Sequence, residues 1–409
     1  MENISTESIR MEKIRAFTFI GDPGCDGLGA EIMSIFNAAL REASGDFVLV
    51  GGDIVPNGAR CFYESVTAMV DTALDKPIYM LCGNHDTEDY AAFFGEKNYF
   101  IYDDRLLLVV LDDSKRVFSQ DSLELLERAL KTCARDNIVL SFHIPPPNHV
   151  VRNSVSQGEW NKVLDVIEPY KARVRYILCG HIHSYFEDIV DGMRMISTGG
   201  GGARIENVEN VDPPFYHFVE FTFDGEGKLT HEKKDVTFRG AADIPQEILS
   251  LLREAYVKEC TAHVRYQLYA EESIRQQKPG LAKLFTAASD SEFYHARNYY
   301  FVMREFLNVG DAIRKSASYE DFEIRDFYKN ALELAKSMNC GLPAYAFEDA
   351  SEAEKVHMEL FQSAIEASEK DGDIPELNYF TCTSCGYTFA GESANKICPV
   401  CGAPHDKIK

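Results

Sequence analysis

The sequence predicts a multidomain chain: an α/β sandwich, then an all-α four-helix bundle, then a small cysteine-rich metal-binding domain. Three observations predict it. From about residue 14 to 237, short β-branched runs alternate with helical stretches. From about 247 to 370 the chain turns to long stretches rich in Glu, Ala, Lys, Leu and Tyr, and two CxxC pairs follow between 382 and 401. A length of 409 residues also suits two to three domains better than one core.

In the first region the runs AFTFIGD, DFVLVGGD, PIYMLCGNHD, LLLVVLDD, NIVLSFHIPP and VRYILCGHIH each end in polar residues. Near-continuous apolar runs mark strands buried on both faces, and functional side chains then gather at the strand ends. The stretch 215–238 alternates and contains DGEG, which predicts a closing hairpin. Gly199 to Gly202 is expected to form a tight loop; no GK[ST] follows, so it is not a P-loop. Trp160, the single tryptophan, is expected to pack in the core.

A linker is expected at about 239–245, where Gly and Pro interrupt the pattern. Four helices follow, at about 247–277, 280–308, 318–338 and 348–370, with breaks at 279–280, 308–310 and 341–343. They predict a four-helix bundle. DGDIP at 371–375 separates it from the tail. The expected domains are 1–240, 246–372 and 376–409.

Composition narrows the function. At 45% hydrophobic and 26% charged the chain is ordinary for a globular protein. A formal charge of -23 repels phosphate backbones and anionic lipid, which argues against nucleic-acid or membrane binding. A small phosphoester stays compatible, because metal ions invert the local field. No apolar run approaches the roughly 18 residues that span a bilayer. The N-terminus is charged and lacks the apolar core of a signal peptide, so the cytoplasm is expected. Eleven cysteines, seven single and four in CxxC pairs, suit a reducing compartment with one metal site.

The tail reads Cys382-x-x-Cys385-Gly-Tyr and Cys398-Pro-x-Cys401-Gly. Two such hooks can wrap one tetrahedral metal, and so small a unit needs such a staple to fold. The spacing alone leaves iron and zinc open. In the bundle, Glu292/His295 and Glu354/His357 form two Glu-x-x-His pairs on separate helices, with Glu259 and Glu320/Glu323 on the other two. An i, i+3 spacing puts both side chains on one helix face. One Glu from each of two helices plus Glu-x-x-His from the others is a recipe for a di-metal site in iron or manganese.

The motifs ECTAHVRY, SEFYHARNYY, EDFEIRDFY and AEKVH, followed by the cysteine tail, resemble rubrerythrin from about Leu251 to Ile408. The resemblance implies a ferritin-like bundle with a rubredoxin-like domain. Glu259, Glu292, His295, Glu320, Glu323, Glu354 and His357 would hold a di-iron centre, with a further iron on Cys382, Cys385, Cys398 and Cys401. Glu323 would exchange with His295 as iron changes oxidation state. Tyr266 and Tyr328 would hydrogen-bond the ligand carboxylates, with plain packing as their alternative. The implied activity is reduction of hydrogen peroxide, fed through the thiolate-held iron by an external donor such as an NAD(P)H-dependent reductase. A homodimer is the family expectation. The chain departs from the pattern at Tyr319, where Gly usually precedes the ligand Glu, and at Phe380, where the aromatic is often Trp.

The N-terminal strand ends read Gly21-Asp22-Pro23-Gly24, Gly52-Asp53, Gly83-Asn84-His85-Asp86, His143-Ile-Pro-Pro and Gly180-His181-Ile182-His183. Together they resemble the calcineurin-like metallophosphoesterases over about 14–237. The resemblance implies two divalent metals (Mn, Fe or Zn) bridged by Asp53. Asn84, His143 and His181 would complete the second site, and Asp22 and His183 would belong to the first. His85 would face the phosphate and assist the leaving group of an unidentified phosphoester. Two metals would then clamp an in-line attack. Most of the family has Asp-x-His in the first motif, where this chain has Gly24. A purple-acid-phosphatase tyrosine would fall on Pro56. Cys25, Asp26 and Asn57 are the candidates for the missing ligand. The expected function is a peroxide-reducing oxidoreductase fused to a phosphoesterase. The alternatives are a phosphoesterase with a redox-sensing C-terminal module, and an iron-binding or storage protein.

Overall fold

A computed structural model describes residues 4–86, 88–133, 135–237, 244–305, 309–369 and 372–409. The linker expected at 239–245 lies mostly outside these residues, as do parts of the breaks at 308–310 and 371–375. In chain order the first part forms β1 (Ser8–Arg10), β2 (Ala16–Ile20), α1 (Ala30–Glu42), β3 (Val48–Val50), α2 (Arg60–Ala73), β4 (Ile78–Met80), α3 (Tyr90–Phe94), β5 (Tyr99–Tyr102), β6 (Leu106–Val110), α4 (Gln120–Cys133), β7 (Asn137–Ser141), α5 (Gln157–Ile167), β8 (Val174–Cys179), β9 (Tyr185–Val190), β10 (Met193–Thr198), β11 (His217–Phe223) and β12 (Leu229–Asp235). The helical part forms α6 (Gln246–Arg275), α7 (Pro279–Val302), α8 (Val309–Phe322), α9 (Lys329–Ser337) and α10 (Gly341–Ser368), and the tail β13 (Asn378–Thr381) and β14 (Thr388–Gly391).

Every apolar run predicted as a strand is one. Seven strands order as β1-β5-β6-β7-β8-β10-β9 and five as β12-β11-β2-β3-β4. One core joins the two sheets: Phe17, Phe19 and Leu49 of one pack with Leu106, Leu108, Val139 and Leu178 of the other. The alternate residues Leu107, Val109, Ile138 and Leu140 face Leu125, Leu126, Trp160 and Val163 of α4 and α5 in a second core. Burial on both faces explains why these strands read as continuous apolar runs rather than alternating ones. Trp160 is fully buried and donates its indole N–H to Asp191 Oδ2 at 2.7 Å. The predicted hairpin is β11–β12, antiparallel from His217↔Asp235 to Phe223↔Leu229. A second hairpin, β9–β10 around Asp191-Gly192, was not anticipated, although Asp-Gly between β-formers is a strong hairpin signal.

The chain divides into two compact units, 1–305 and 306–409. The first contains the α/β sandwich and the antiparallel pair α6–α7, with α7 lying along α1. The second contains α8, α9, α10 and the cysteine-rich tail. The helix limits differ from the sequence expectation in a consistent way. The third helix starts at Val309 rather than about 318, the fourth at Gly341 rather than about 348, and the second ends at Val302 rather than 308. Pro343 lies in the first turn of α10, where the backbone N–H has no intrahelical partner to lose, so it starts a helix here instead of ending one, and Gly310 falls within the described part of α8. Between α8 and α9 the chain takes a π-helical turn, Glu323–Tyr328. Such turns are uncommon and often sit at functional sites. The architecture is an α/β phosphoesterase-type sandwich, a helical bundle region and a small C-terminal cysteine-rich domain.

Candidate metal centres

The N-terminal centre is built from loops at the ends of β2, β3, β4, β7 and β8, as the motif positions required. Asp53 Oδ2 lies 3.2 Å from His143 Nε2, and Asn84 Oδ1 lies 3.2 Å from the same nitrogen. Asp53, His143 and His181 offer ligand atoms that all lie within 4.8 Å of one another. The His143 Nδ1–H donates to Gly51 O at 2.8 Å, which leaves Nε2 facing the carboxylates as a ligand. Asp22, Asp53 and His181 all have positive φ, at 51°, 49° and 70°. Three strained non-glycine residues in one cluster indicate that the site geometry is imposed by its surroundings.

The electrostatics call for a cation. Asp22 is fully buried, and burial raises its carboxyl well above the usual range, although His181 N donates to both its oxygens at 2.9 Å. Burial opposes ionisation of Asp53 too, but His143 beside it brings it down to about 2. Burial opposes the charge on His143, yet Asp53, Asp22 and Asp113 raise it to about 10. Burial and His143 lower His181 to about 3, which leaves its imidazole neutral. A protonated His143 thus compensates buried carboxylates that a divalent metal would compensate more strongly.

Asp22 and His183 approach one another, with Oδ1 3.9 Å from Nε2. Cys25 Sγ lies closer, 3.1 Å from that nitrogen, and Cys25, Asp26 and His183 form a second cluster of ligand atoms. Burial and the neighbouring Asp22 and Asp26 push the Cys25 thiol well up. His85 is 41% exposed; its backbone N–H donates to Asp53 Oδ1 and its Nδ1–H to Pro56 O, so Nε2 is open to a ligand. The Gly199–Gly202 loop packs on the first motif, with Gly201 N donating to Gly21 O at 2.8 Å and Ala203 N to Asp22 O at 3.0 Å.

Two carboxylates have roles that the sequence reading did not assign. Asp113 Oδ1 accepts from His143 N at 2.9 Å and Oδ2 from Ile144 N at 3.0 Å, fixing the His143 loop. Asp86 accepts from the Ile54, Val55 and Gly83 amides, fixing the loops of Asp53 and Asn84. Burial raises both to about 7. The available signals were the place of Asp113, at the end of the LLLVVLDD run, and that of Asp86, which closes the GNHD motif.

In the first unit, Glu259 of α6 meets Glu292 and His295 of α7, with His295 Nδ1 2.8 Å from Glu292 Oε2. Sharing a hydrogen bond raises Glu259 and lowers Glu292. Tyr266 packs near Phe285 and Tyr269, at 6.1 and 6.3 Å between centroids, with no hydrogen bond to Glu259 or Glu292 among the described residues of its unit. In the second unit, Glu320 of α8 meets Glu354 and His357 of α10. His357 Nδ1 lies 2.7 Å from Glu354 Oε2 and 3.9 Å from Glu320 Oε1. Burial, then Glu354, raises Glu320 to about 7. Glu323 opens the π turn, outside that cluster of ligand atoms, and burial and Glu354 raise it. Burial and then the carboxylates of Glu323, Glu354 and Glu320 raise Tyr328, so its hydroxyl stays a donor beside them. Two carboxylates and one imidazole per cluster fit iron or manganese.

The four tail sulfurs lie within 4.8 Å of one another, with Cys382–Cys401 and Cys385–Cys398 at 3.7 Å. Metal–sulfur bonds of about 2.3 Å in a tetrahedron separate their sulfurs by about 3.8 Å, so the cage fits a metal as it stands. Gly386 N donates to Cys382 O and Gly402 N to Cys398 O, both glycines at positive φ. These two matching knuckles need a left-handed residue after each hook. No described helix is long and apolar enough to cross a membrane.

Comparison with known proteins finds three families along the chain. Residues 16–185 match the calcineurin-like phosphoesterase family, 250–365 the rubrerythrin family, and 380–409 the rubredoxin-like domain of rubrerythrin. Rubrerythrin-2 of Clostridium acetobutylicum is 33% identical over 172 residues, covering 39% of this chain and 93% of that protein. A protein of Arcobacter nitrofigilis, named as a probable glycerophosphodiester phosphodiesterase, is 29% identical over 157 residues, covering 34% of this chain and 56% of its own. A dimetal phosphatase from Danio rerio superposes with a TM-score of 0.41 at 14% identity, over 55% of this chain and 98% of that one.

Proposed function

The chain belongs, through its C-terminal part, to the rubrerythrin family, and from that premise we propose that it reduces hydrogen peroxide while its N-terminal domain hydrolyses a phosphodiester. The observation that carries the reading is the pair of Glu-Glu-His clusters, Glu259/Glu292/His295 and Glu320/Glu354/His357, in one chain with a four-sulfur cage already at metal spacing. Iron held there would supply the electrons that cleave the O–O bond of peroxide to water, and thiolate-held iron would relay their replacement.

The protein's own groups shape this chemistry. Glu292 and Glu354 each hold the imidazole three residues on in a fixed orientation. Glu323 stands beside the second cluster as the carboxylate free to join or leave it. Tyr328 supplies a neutral hydroxyl to the same carboxylates. We assign the electrons to an external donor such as an NAD(P)H-dependent reductase, and the working form to a homodimer.

For the N-terminal arm, Asp53, Asn84, His143 and His181 fit one divalent metal and Asp22 and His183 part of another, and bound metals would polarise the phosphorus–oxygen bonds. His85 presents Nε2 at the open side, where a leaving-group oxygen can reach it. One relative of this arm is named as a probable glycerophosphodiester phosphodiesterase and another, from Synechococcus, as a probable cyclic nucleotide phosphodiesterase. A phosphodiester is therefore the substrate class to try first.

The test is metal content and a visible spectrum of anaerobically purified protein, followed by stoichiometric peroxide. About three irons per chain, with a rubredoxin-like band that bleaches on reduction and returns faster with peroxide than with dioxygen, is the expected result. Zinc in the tail with no peroxide-responsive absorbance would overturn the oxidoreductase reading.

A further inference from the structure

The first metal motif of the N-terminal domain lacks the histidine that the resemblance leads one to expect, because that position is Gly24. The structure shows why no side chain stands there. A Cβ on Gly24 would lie 2.0 Å from Ile54 O and 3.1 Å from Val55 N, both backbone atoms. Gly24 N also donates to Asp53 O at 2.9 Å, so the loop is held down on the loop after β3 that carries the expected bridging carboxylate. A ligand from residue 24 is sterically excluded. The other position considered, Pro56, has no donor side chain, and its carbonyl accepts from His85 Nδ1.

The next residue, Cys25, lies beside His183. Its Sγ is 3.1 Å from His183 Nε2, and the Asp22 carboxylate is 3.9 Å from the same nitrogen. Of the remaining candidates, Asp26 Oδ2 accepts from Arg204 N at 2.7 Å, and Asn57 Oδ1 accepts from Ala59 N at 3.2 Å. Asp26 therefore ties its loop to the chain just after the Gly199–Gly202 loop and faces the other imidazole nitrogen of His183, Nδ1, at 4.0 Å, while Asn57 serves its own turn. Cys25 is the half-buried donor that meets an expected metal ligand, His183, on the same nitrogen that faces Asp22.

We propose that Cys25 is a thiolate ligand of the first metal, completing a set with Asp22, His183 and the bridging Asp53. This rests on the reading of the domain as a two-metal phosphoesterase and deepens it. The consequence is selectivity. Carboxylate and imidazole alone admit Mn(II) and Mg(II), whereas a thiolate shifts the preference toward Zn(II) or Fe(II). The two N-terminal metal positions would then differ in softness, with the thiolate on one and the amide of Asn84 on the other.

The test uses full-length protein, metal-depleted and reloaded with zinc, with Cys25→Ser and Cys25→Ala as variants. Zinc competition against a chelator should show one N-terminal site weakened more than about 10-fold in both variants, while the four-cysteine site keeps its affinity. Mn(II) affinity at the first site should change far less. Cobalt substitution gives an independent readout: wild type minus Cys25→Ser should leave a thiolate-to-cobalt charge-transfer band. Two N-terminal zinc ions with unchanged affinity in the variants and no difference band would overturn the thiolate assignment and leave the phosphoesterase reading standing. No N-terminal zinc in wild type at all would overturn both.

Discussion

Arg297 on α7 forms an ion pair with Glu31 on α1, joining the helix that carries Glu292 and His295 to the helix that opens behind the Cys25–Asp26 loop. Arg304 Nη2 adds a 3.0 Å bond to Asn37 Oδ1 one face further along α1. Arg297 is 42% and Glu31 20% exposed, so the pair is only partly screened. Its coupling should be of the order of 0.5–1 kcal/mol in a double-mutant cycle of Glu31→Gln and Arg297→Gln. The sharper readout is hydrogen exchange. Either variant should speed exchange in both α1 and the last turns of α7; exchange unchanged in α1 would mean that the two helices are not held together there.

The amide-holding role of Asp113 predicts a stability defect joined to a metal defect. Asp113→Ala removes the acceptor from two buried N–H groups, those of His143 and Ile144. Leaving them unsatisfied should cost about 2–4 kcal/mol in chemical denaturation. Asp113→Asn keeps one acceptor oxygen and should cost about half as much. Metal affinity at the Asn84/His143 site should fall with it, because His143 loses its backbone anchor. A stable Asp113→Ala protein with full metal affinity would contradict the role.

Asp113 also shows where sequence reading reached and where it stopped. The strands were legible because burial on both faces leaves a continuous apolar run, and the ligand residues because they follow those runs. Asp113 follows one too, but as Asp112-Asp113 it matches no motif, and only the fold brings it under His143. In the helical part, Glu-x-x-His spacing announced both clusters, while helix limits were misjudged at Gly310, which is helical, and at Pro343, a residue read as a breaker that the first turn of α10 tolerates. The π turn at Glu323 has no local signature. Nor could sequence show that Gly24 is pressed against the Ile54 carbonyl, which turns attention from residue 24 to Cys25.

The second metal position predicts a clean loss of hydrolysis. Asn84→Ala removes a side chain that meets His143 Nε2 at 3.2 Å, and His143→Ala removes the imidazole itself. Phosphodiesterase turnover should fall at least about 100-fold in either, since positioning of both metals underlies the in-line attack. Peroxide reduction should be untouched. Hydrolysis that persists at the wild-type rate would assign the activity to a contaminant.

The four-cysteine cage predicts separable redox defects. Cys398→Ser should abolish the rubredoxin-like visible band and stop turnover with a reductase, while the chemically reduced protein still consumes a stoichiometric amount of peroxide. Glu354→Ala should do the reverse, keeping the band and losing peroxide consumption. It removes a carboxylate from one cluster and the 2.7 Å partner of His357. Both variants losing both properties would mean that the centres fold as one and cannot be assigned separate roles.

His217 predicts an acid limit on the N-terminal domain, away from the metal ligands. It is fully buried, with Nε2 2.8 Å from Thr198 Oγ1 and its Nδ1–H donating to Phe215 O. Burial lowers it from 6.5 to about 4, so the folded state keeps the imidazole neutral where the unfolded chain already binds a proton. Its contribution is full above the unfolded value and is lost as pH falls from about 6.5 toward 4, which at pH 5 amounts to about 2 kcal/mol. His217→Gln cannot titrate, so although less stable at neutral pH it should lose less stability between pH 7 and pH 5 than wild type, by about that amount. Denaturant unfolding at the two pH values, followed by the fluorescence of Trp160 in the same domain, makes the comparison. Equal losses in wild type and variant would show that His217 titrates normally in the fold.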